Sequence, residues 1–135
     1  MKVAVLLAFM FLGTACSDAY ERIAEQRVDG VTIRVGLKSM HPWLAEYKRF
    51  LEIERAGQTQ KKELFPDTGG YTWVSLINNY GVLEVKTLDG VEYSTPVDTL
   101  PKNMRLYLGR FDFDFGHNFK FIPASSDSRE PEPPK

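Results

Sequence analysis

From Val31 onward the hydrophobic positions of this chain recur at every second residue. Val31, Ile33, Val35 and Leu37 alternate with Thr32, Arg34, Gly36 and Lys38, the pattern of a strand with one face in a core and the other in water. Val82 to Leu88 and Val91 to Ser94 flank Asp89-Gly90, and Asp-Gly between two such runs is a strong hairpin signal. Leu106 to Phe115 and Phe119 to Ile122 bracket Gly116-His117-Asn118, which predicts another hairpin. Tyr71 to Ile77 is rich in aromatic and β-branched residues and runs into the turn Asn78-Asn79-Tyr80-Gly81. Both of its parities are apolar, Trp73 and Ile77 on one and Val74 and Leu76 on the other. That predicts a central strand covered on both faces, or a face that meets a partner.

One stretch satisfies two periods. Leu44, Tyr47, Leu51 and Glu54 share a helical face, and Lys48 and Glu52 stand at i,i+4. Leu51 and Ile53 also alternate with Glu52 and Glu54, and Ala56-Gly57-Gln58-Thr59 reads as a turn into Lys61 to Phe65, so a hairpin is favoured over a helix. The expected fold is mainly β, a small antiparallel sandwich or partly open barrel of about six to eight short strands. It carries at most one short N-terminal helix, in Ser17 to Arg27, where Tyr20, Ile23 and Ala24 have helical spacing and Asp18/Glu21 form a capping box. Pro123 to Lys135 holds four Pro, three Ser and five charged residues, a composition expected to remain a disordered tail.

Composition narrows the functional classes. The 135 residues carry 17 Lys+Arg against 18 Asp+Glu, so charge gives no reason to expect nucleic acid. One cysteine excludes an intrachain disulfide. The N-terminus reads Met1-Lys2, ten uncharged apolar residues from Val3 to Leu12, the small residues Gly13-Thr14-Ala15, and then that cysteine, Cys16. This is the layout of a secretory signal. Ten residues of helix span about 15 Å, half of a bilayer core of about 30 Å, which argues against a permanent transmembrane helix.

Gly13-Thr14-Ala15-Cys16 resembles the lipobox of bacterial lipoprotein precursors, with Leu12 one place farther from the cysteine than that pattern usually has it. The resemblance implies cleavage before Cys16, lipidation of its sulfur and a membrane-anchored mature protein; Ser17, rather than Asp, after the cysteine favours the outer membrane. Plain secretion with a free thiol, periplasmic or extracellular, is the alternative. The expected organisation is a signal peptide at 1–15, a lipid-anchored tether at 16–27, a β-domain at 28–122 and the tail at 123–135. Glu63 to Tyr71 and Phe121-Ile122-Pro123-Ala124 are also similar to small exported bacterial proteins of unknown function, a likeness that carries no activity with it.

Catalytic chemistry finds little to work with. Asp67-Thr68-Gly69 matches the aspartic protease triplet, but that chemistry needs two carboxylates sharing a proton, and Pro66 removes a backbone donor where the triplet's strand should pair. A Pro-Asp-x-Gly turn explains the residues better. Asp112 and Asp114 stand at i,i+2 with His117 nearby, a spacing that can hold a divalent metal; Phe115 occupies the place of the third oxygen ligand in a calcium loop. The plainer account puts Tyr107, Phe111, Phe113 and Phe115 in a core, with Arg110, Asp112 and Asp114 in water. His41 and His117 are the only histidines, too few for a tetrahedral zinc site with one cysteine.

What remains is a recognition surface. Trp43 in Met40-His41-Pro42-Trp43-Leu44, and Trp73 beside Tyr71, lie next to turn residues, where exposed aromatics act as anchors; packing into the core is the commoner fate of tryptophan. The expectation is a non-enzymatic, lipid-anchored envelope protein that needs no cofactor. It would bind a protein or envelope component through Trp43, Asp67, Tyr71 and Trp73, in the manner of an inhibitor, immunity factor or assembly accessory. The alternative is a metal-dependent or aspartate-based enzyme using Asp67, Asp112, Asp114 and His117.

Overall fold

A computed structural model describes residues 20–67 and 73–132. Nine strands run in chain order: β1 (Arg22–Val28), β2 (Val31–Ser39), β3 (Tyr47–Arg55), β4 (Gln58–Asp67), β5 (Val74–Asn79), β6 (Val82–Thr87), β7 (Gly90–Pro96), β8 (Arg105–Asp114) and β9 (Asn118–Pro123). They form two antiparallel sheets, ordered β1-β2-β3-β4 and β7-β6-β5-β8-β9, with no helix among the described residues. Val31, Ile33, Val35, Leu37, Leu51 and Ile53 from the first sheet join Val74, Leu76, Leu83, Val85, Phe111 and Phe119 from the second in one buried cluster. This is a sandwich core, not a closed barrel. On one side β1 and β9 come together. On the other, side chains of the first sheet reach β7, with Lys62 of β4 paired to Glu92 and Arg55 of β3 donating to Thr95.

The period-two reading holds through β2 and β6, an irregularity in pairing breaks it in β7 between Val91 and Tyr93, and the ambiguous stretch is β3, hairpinned to β4 around Ala56-Gly57. Burial decides it: Leu51 and Ile53 enter the core while Glu52 and Glu54 reach Arg34 on the outer face. The helix expected within 17–27 is absent from the described part, Tyr20 onward. All seven residues of β1 pair with β2, whose free edge would otherwise leave buried backbone groups unsatisfied, whereas so short a helix is marginal in water. The body therefore begins at Arg22.

The second correction is at the other terminus. Residues 124–132 are laid against the outer face of the five-stranded sheet. The Ala124 amide donates to the Leu108 carbonyl at 3.0 Å, and Ser125 and Ser128 close a turn. Glu130 then bridges Lys86 of β6 (2.9 Å) and Arg105 of β8 (2.5 Å), the two strands that flank β5. The composition argument for disorder asks whether a segment can bury its own apolar surface. Here the segment is held by groups the sheet supplies: the Leu108 carbonyl, Lys86, Arg105 and the hollow beside Trp73.

Candidate functional site

The hairpins place several loops at one end of the sandwich, the β6–β7 turn at Leu88–Asp89 among them. Residues 40–46 join β2 to β3, closed by the Met40 amide on the Glu46 carbonyl (2.9 Å) and by His41 beside Glu46 (3.4 Å). The turn at Phe115, Gly116 and His117 joins β8 to β9, and β4 ends at this same end with Phe65 and Asp67. Contacts between the sheets tie the loops together. Tyr47 packs on Phe113 with ring centres 5.7 Å apart, and Arg22 stacks on Phe113 while donating to the His117 carbonyl at 3.0 Å. Arg49, buried to 3% exposure, donates through Nε and Nη2 to the Phe65 carbonyl at 3.0 and 2.8 Å. A buried guanidinium held by carbonyls fixes the path of the chain after β4.

The side chains projecting from this frame are apolar. Trp43 is 82% exposed, Phe115 91%, Phe65 66% and Leu44 51%, with Met40 beside them. Large apolar side chains concentrated on loops at one end are what a contact surface requires and what a packed core does not explain. The charges around them are of both signs: Arg22, Lys48 and Lys120 against Glu21, Glu46 and Asp114.

The expected site residues fall as follows. Trp43 stands on the hairpin tip, in solvent. Trp73, the residue before β5, stands at this same end but on the outer face of the five-stranded sheet, where it lines a hollow of about 210 Å³ with Lys86, Thr87, Leu88, Glu130 and Pro131. Its carbonyl accepts from Arg49 Nη1 at 3.5 Å. Asp67 is the last residue of β4, opposite Tyr47. Tyr71 and the lipidation candidate Cys16 lie outside the described residues.

The acidic set is not brought together. Asp112 takes Arg110 at 2.9 Å and also accepts the Phe113 amide. Asp114 pairs with Lys120 at 2.7 Å, and the His117 amide donates to the Asp114 carbonyl. Among the described residues no three His, Cys, Asp or Glu side chains converge as a metal site.

Phe115 and Tyr107 depart from the expected core list. Asn118 already begins β9, so Phe115 must serve the turn, at φ 47°, and its ring points outward. Tyr107 is displaced to the outer face by an irregularity in pairing between Leu76/Gly109 and Ile77/Tyr107. Gly109 sits there at φ 136°, and a Cβ on it would lie 2.4 Å from the Ile122 carbonyl oxygen. Burial raises the Tyr107 phenol above its ordinary value, opposed by the neighbouring Arg110. Neither Phe115 nor Phe65 carried a signal in the sequence: a turn read at Gly116-His117-Asn118 keeps Phe115 on its strand, and only the start of β9 at Asn118 moves it into the turn.

A further concavity lies on the open side, between β4 and β7. Two adjoining hollows of about 200 and 110 Å³ share Ile53, Gln60 and Tyr93, with Lys62 and Glu92 across their mouth. Burial works against the Glu92 charge, but the Lys62 and Thr87 hydrogen bonds and nearby Arg49 hold its carboxyl below the usual range. Volumes of this size are smaller than the roughly 300–1,000 Å³ of typical small-molecule sites. The inward-facing parity of β4 is polar, Gln58, Gln60 and Lys62, which also guards this edge against strand addition.

The fold is a two-sheet antiparallel β-sandwich that presents an aromatic loop end. Compared with known protein families, curated proteins and solved structures, the chain matches none.

Proposed function

We propose that this chain is a lipid-anchored protein of the bacterial cell envelope, held at Cys16 and placed at the periplasmic face of the outer membrane, and that its β-domain is a non-enzymatic binding module. The observation that carries the reading is that exposed Met40, Trp43, Leu44 and Phe115 on loops, and Phe65 near the end of β4, stand at one end of the sandwich. Aromatic side chains held by a rigid frame lose little freedom on binding, so they supply contact energy to a protein or envelope partner at low entropic cost. The role is of the inhibitor, immunity or assembly-accessory type.

Two measurements test it. The mass of the mature N-terminus is expected to show a diacylglyceryl adduct on Cys16, and an unmodified terminus overturns the anchor. Trp43→Ala is expected to weaken partner capture by about tenfold or more while the melting temperature stays put, because Trp43 is 82% exposed. A variant that captures its partner undiminished removes this end from the binding surface.

The enzymatic alternative at Asp67, Asp112, Asp114 and His117 gains no support from geometry, since Asp112 and Asp114 are each engaged by a cation. Thermal melts with calcium, zinc and magnesium discriminate, because a native metal site must raise the melting temperature as ligand is added.

A further inference from the structure

We infer that the aromatic loop end is seated in the lipid surface to which the chain is anchored, so that the envelope component it binds is the bilayer itself. The inference rests on the proposed anchor at Cys16 and names the partner of that same site.

The place where the chain joins the body supports it. Cys16 precedes Tyr20 by four residues, a length that reaches at most about 14 Å even when fully extended. Tyr20 lies over Gly36, where an added Cβ would fall 2.5 Å from its ring, and Glu21 is bonded to the end of β2: its amide donates to the Leu37 carbonyl at 3.0 Å and its carboxylate accepts the Ser39 amide at 3.1 Å. Ser39 is the last residue before the loop that carries Met40, Trp43 and Leu44. The root of the anchor and the aromatic loop are therefore side by side. Phe115 stands on the neighbouring turn, joined to β1 by the bond from Arg22 to the His117 carbonyl. A lipid on Cys16 leaves so little slack that this end, rather than the opposite one bearing the Asp29-Gly30 and Ala56-Gly57 turns, faces the membrane.

The chemistry of the end suits an interface. Trp and Phe beside Leu and Met, ringed by Arg22, Lys48 and Lys120 whose stems are apolar, are the side chains that settle at the headgroup boundary. Because acidic Glu21, Glu46 and Asp114 share the rim, attraction to anionic lipid contributes little, and the seating is driven by apolar burial. Lipid and loops then act as two attachment signals that fix the orientation of the sandwich. The cleft between β4 and β7 is left to the side, and the turns at Gly30 and Gly57 face the aqueous compartment.

The test uses the full chain, purified with its own N-terminus and reconstituted into phosphatidylcholine vesicles with brominated acyl chains. Trp73→Phe leaves Trp43 as the sole tryptophan, and Trp43→Phe leaves Trp73 alone. Bromine is expected to quench Trp43 by about twofold or more, at low and high salt alike, and to quench Trp73, set back on the outer face beside Glu130 and Pro131, markedly less. A Cys16 adduct with unquenched Trp43 overturns the seated end and leaves the anchor standing. Equal quenching of both tryptophans overturns it too, because the sandwich then has no preferred orientation. Absence of any adduct on Cys16 removes the anchor, and the inference with it.

Discussion

The outer faces of the two sheets are covered in opposite ways. On the four-stranded sheet the cover is local. Arg34 in the middle of β2 reaches Glu25 on β1 (2.6 Å) and Glu52 and Glu54 on β3 (3.1 and 2.9 Å), which raises its already high pKa further. One register step along, Tyr20 lies on Gly36 with its ring 5.5 Å from Phe50, and Lys38 and Lys61 stand over both rings. On the five-stranded sheet a remote segment takes part: Ser75 and Ile77 of β5 are fully buried, and Glu130 of the C-terminal segment bridges Lys86 and Arg105 on the strands either side of β5. A face covered by its own strands reads as alternation. A face covered by a distant segment reads as a doubly apolar strand with its partner missing.

The largest effect that would break this comparison is at Gly109. Its φ of 136° is closed to L side chains, and a methyl there meets the Ile122 carbonyl oxygen. Gly109→Ala is expected to cost about 3 kcal/mol or more, by forcing β8 and β9 apart or by removing the irregularity that turns Tyr107 outward. Chemical denaturation measures it; a loss below about 1 kcal/mol would mean that β8 tolerates regular pairing.

Deleting residues 125–135 ranks next. It uncovers Ile77 and Trp73, each worth roughly 1.5–3 kcal/mol when fully buried, so a total near 2–4 kcal/mol is expected given partial cover at Trp73. The readout is a melting temperature lowered by about 10 °C or more, together with a red shift of Trp73 emission. An unchanged melt would mean that the segment rests on the sheet without stabilising it.

Much of the strand pattern was legible because β2 and β6 obey strict alternation, and Asp89-Gly90 marked its turn without help from tertiary structure. The two failures share one cause. Ser17 to Arg27 and Pro123 to Lys135 were judged by their own composition, yet the described part of each is held by a surface made elsewhere: β1 by the free edge of β2, the C-terminal segment by the cations of β6 and β8. The double apolar parity of β5 did signal that something covers it, but parity cannot say which residues. The site was half legible. Trp43, singled out beside Pro42, lies exposed, while Trp73, equally near a turn, lines a hollow with the C-terminal segment. Phe65 and Phe115 sat on strand-like parities, where exposure is decided by where β4 and β8 end.

A smaller effect sharpens the local side of the comparison. Gly36→Ala places a methyl 2.5 to 2.7 Å from three atoms of the Tyr20 ring. The backbone of β2 is extended there, so the cost is the loss of Tyr20 from its place on Phe50, about 1 kcal/mol. Tyr20→Ala should cost about the same, and the two together no more than either alone, because both remove one contact. Additive losses would show that Gly36 serves something besides making room for Tyr20.

The smallest effect concerns the pin of the remote cover, and its direction with pH follows from charge. Burial disfavours the Glu130 carboxylate, but the hydrogen bonds from Arg105 and Lys86 outweigh it, so its pKa lies below the ordinary carboxyl value. A carboxyl depressed in the folded state contributes stability that is complete above the unfolded pKa of about 4.3 and is lost as pH falls through the lower folded value. Partly exposed ion pairs of this kind contribute about 0.5–1 kcal/mol each, less in salt. Acidification below about pH 4 should therefore loosen residues 124–132 before the sandwich unfolds, seen as a shift in Trp73 emission with β-sheet circular dichroism unchanged. Glu130→Gln should produce the loosened spectrum already at neutral pH and flatten its acid dependence. If the Trp73 transition persists unchanged in that variant, another carboxylate pins the segment, and the two outer faces differ less than their geometry implies.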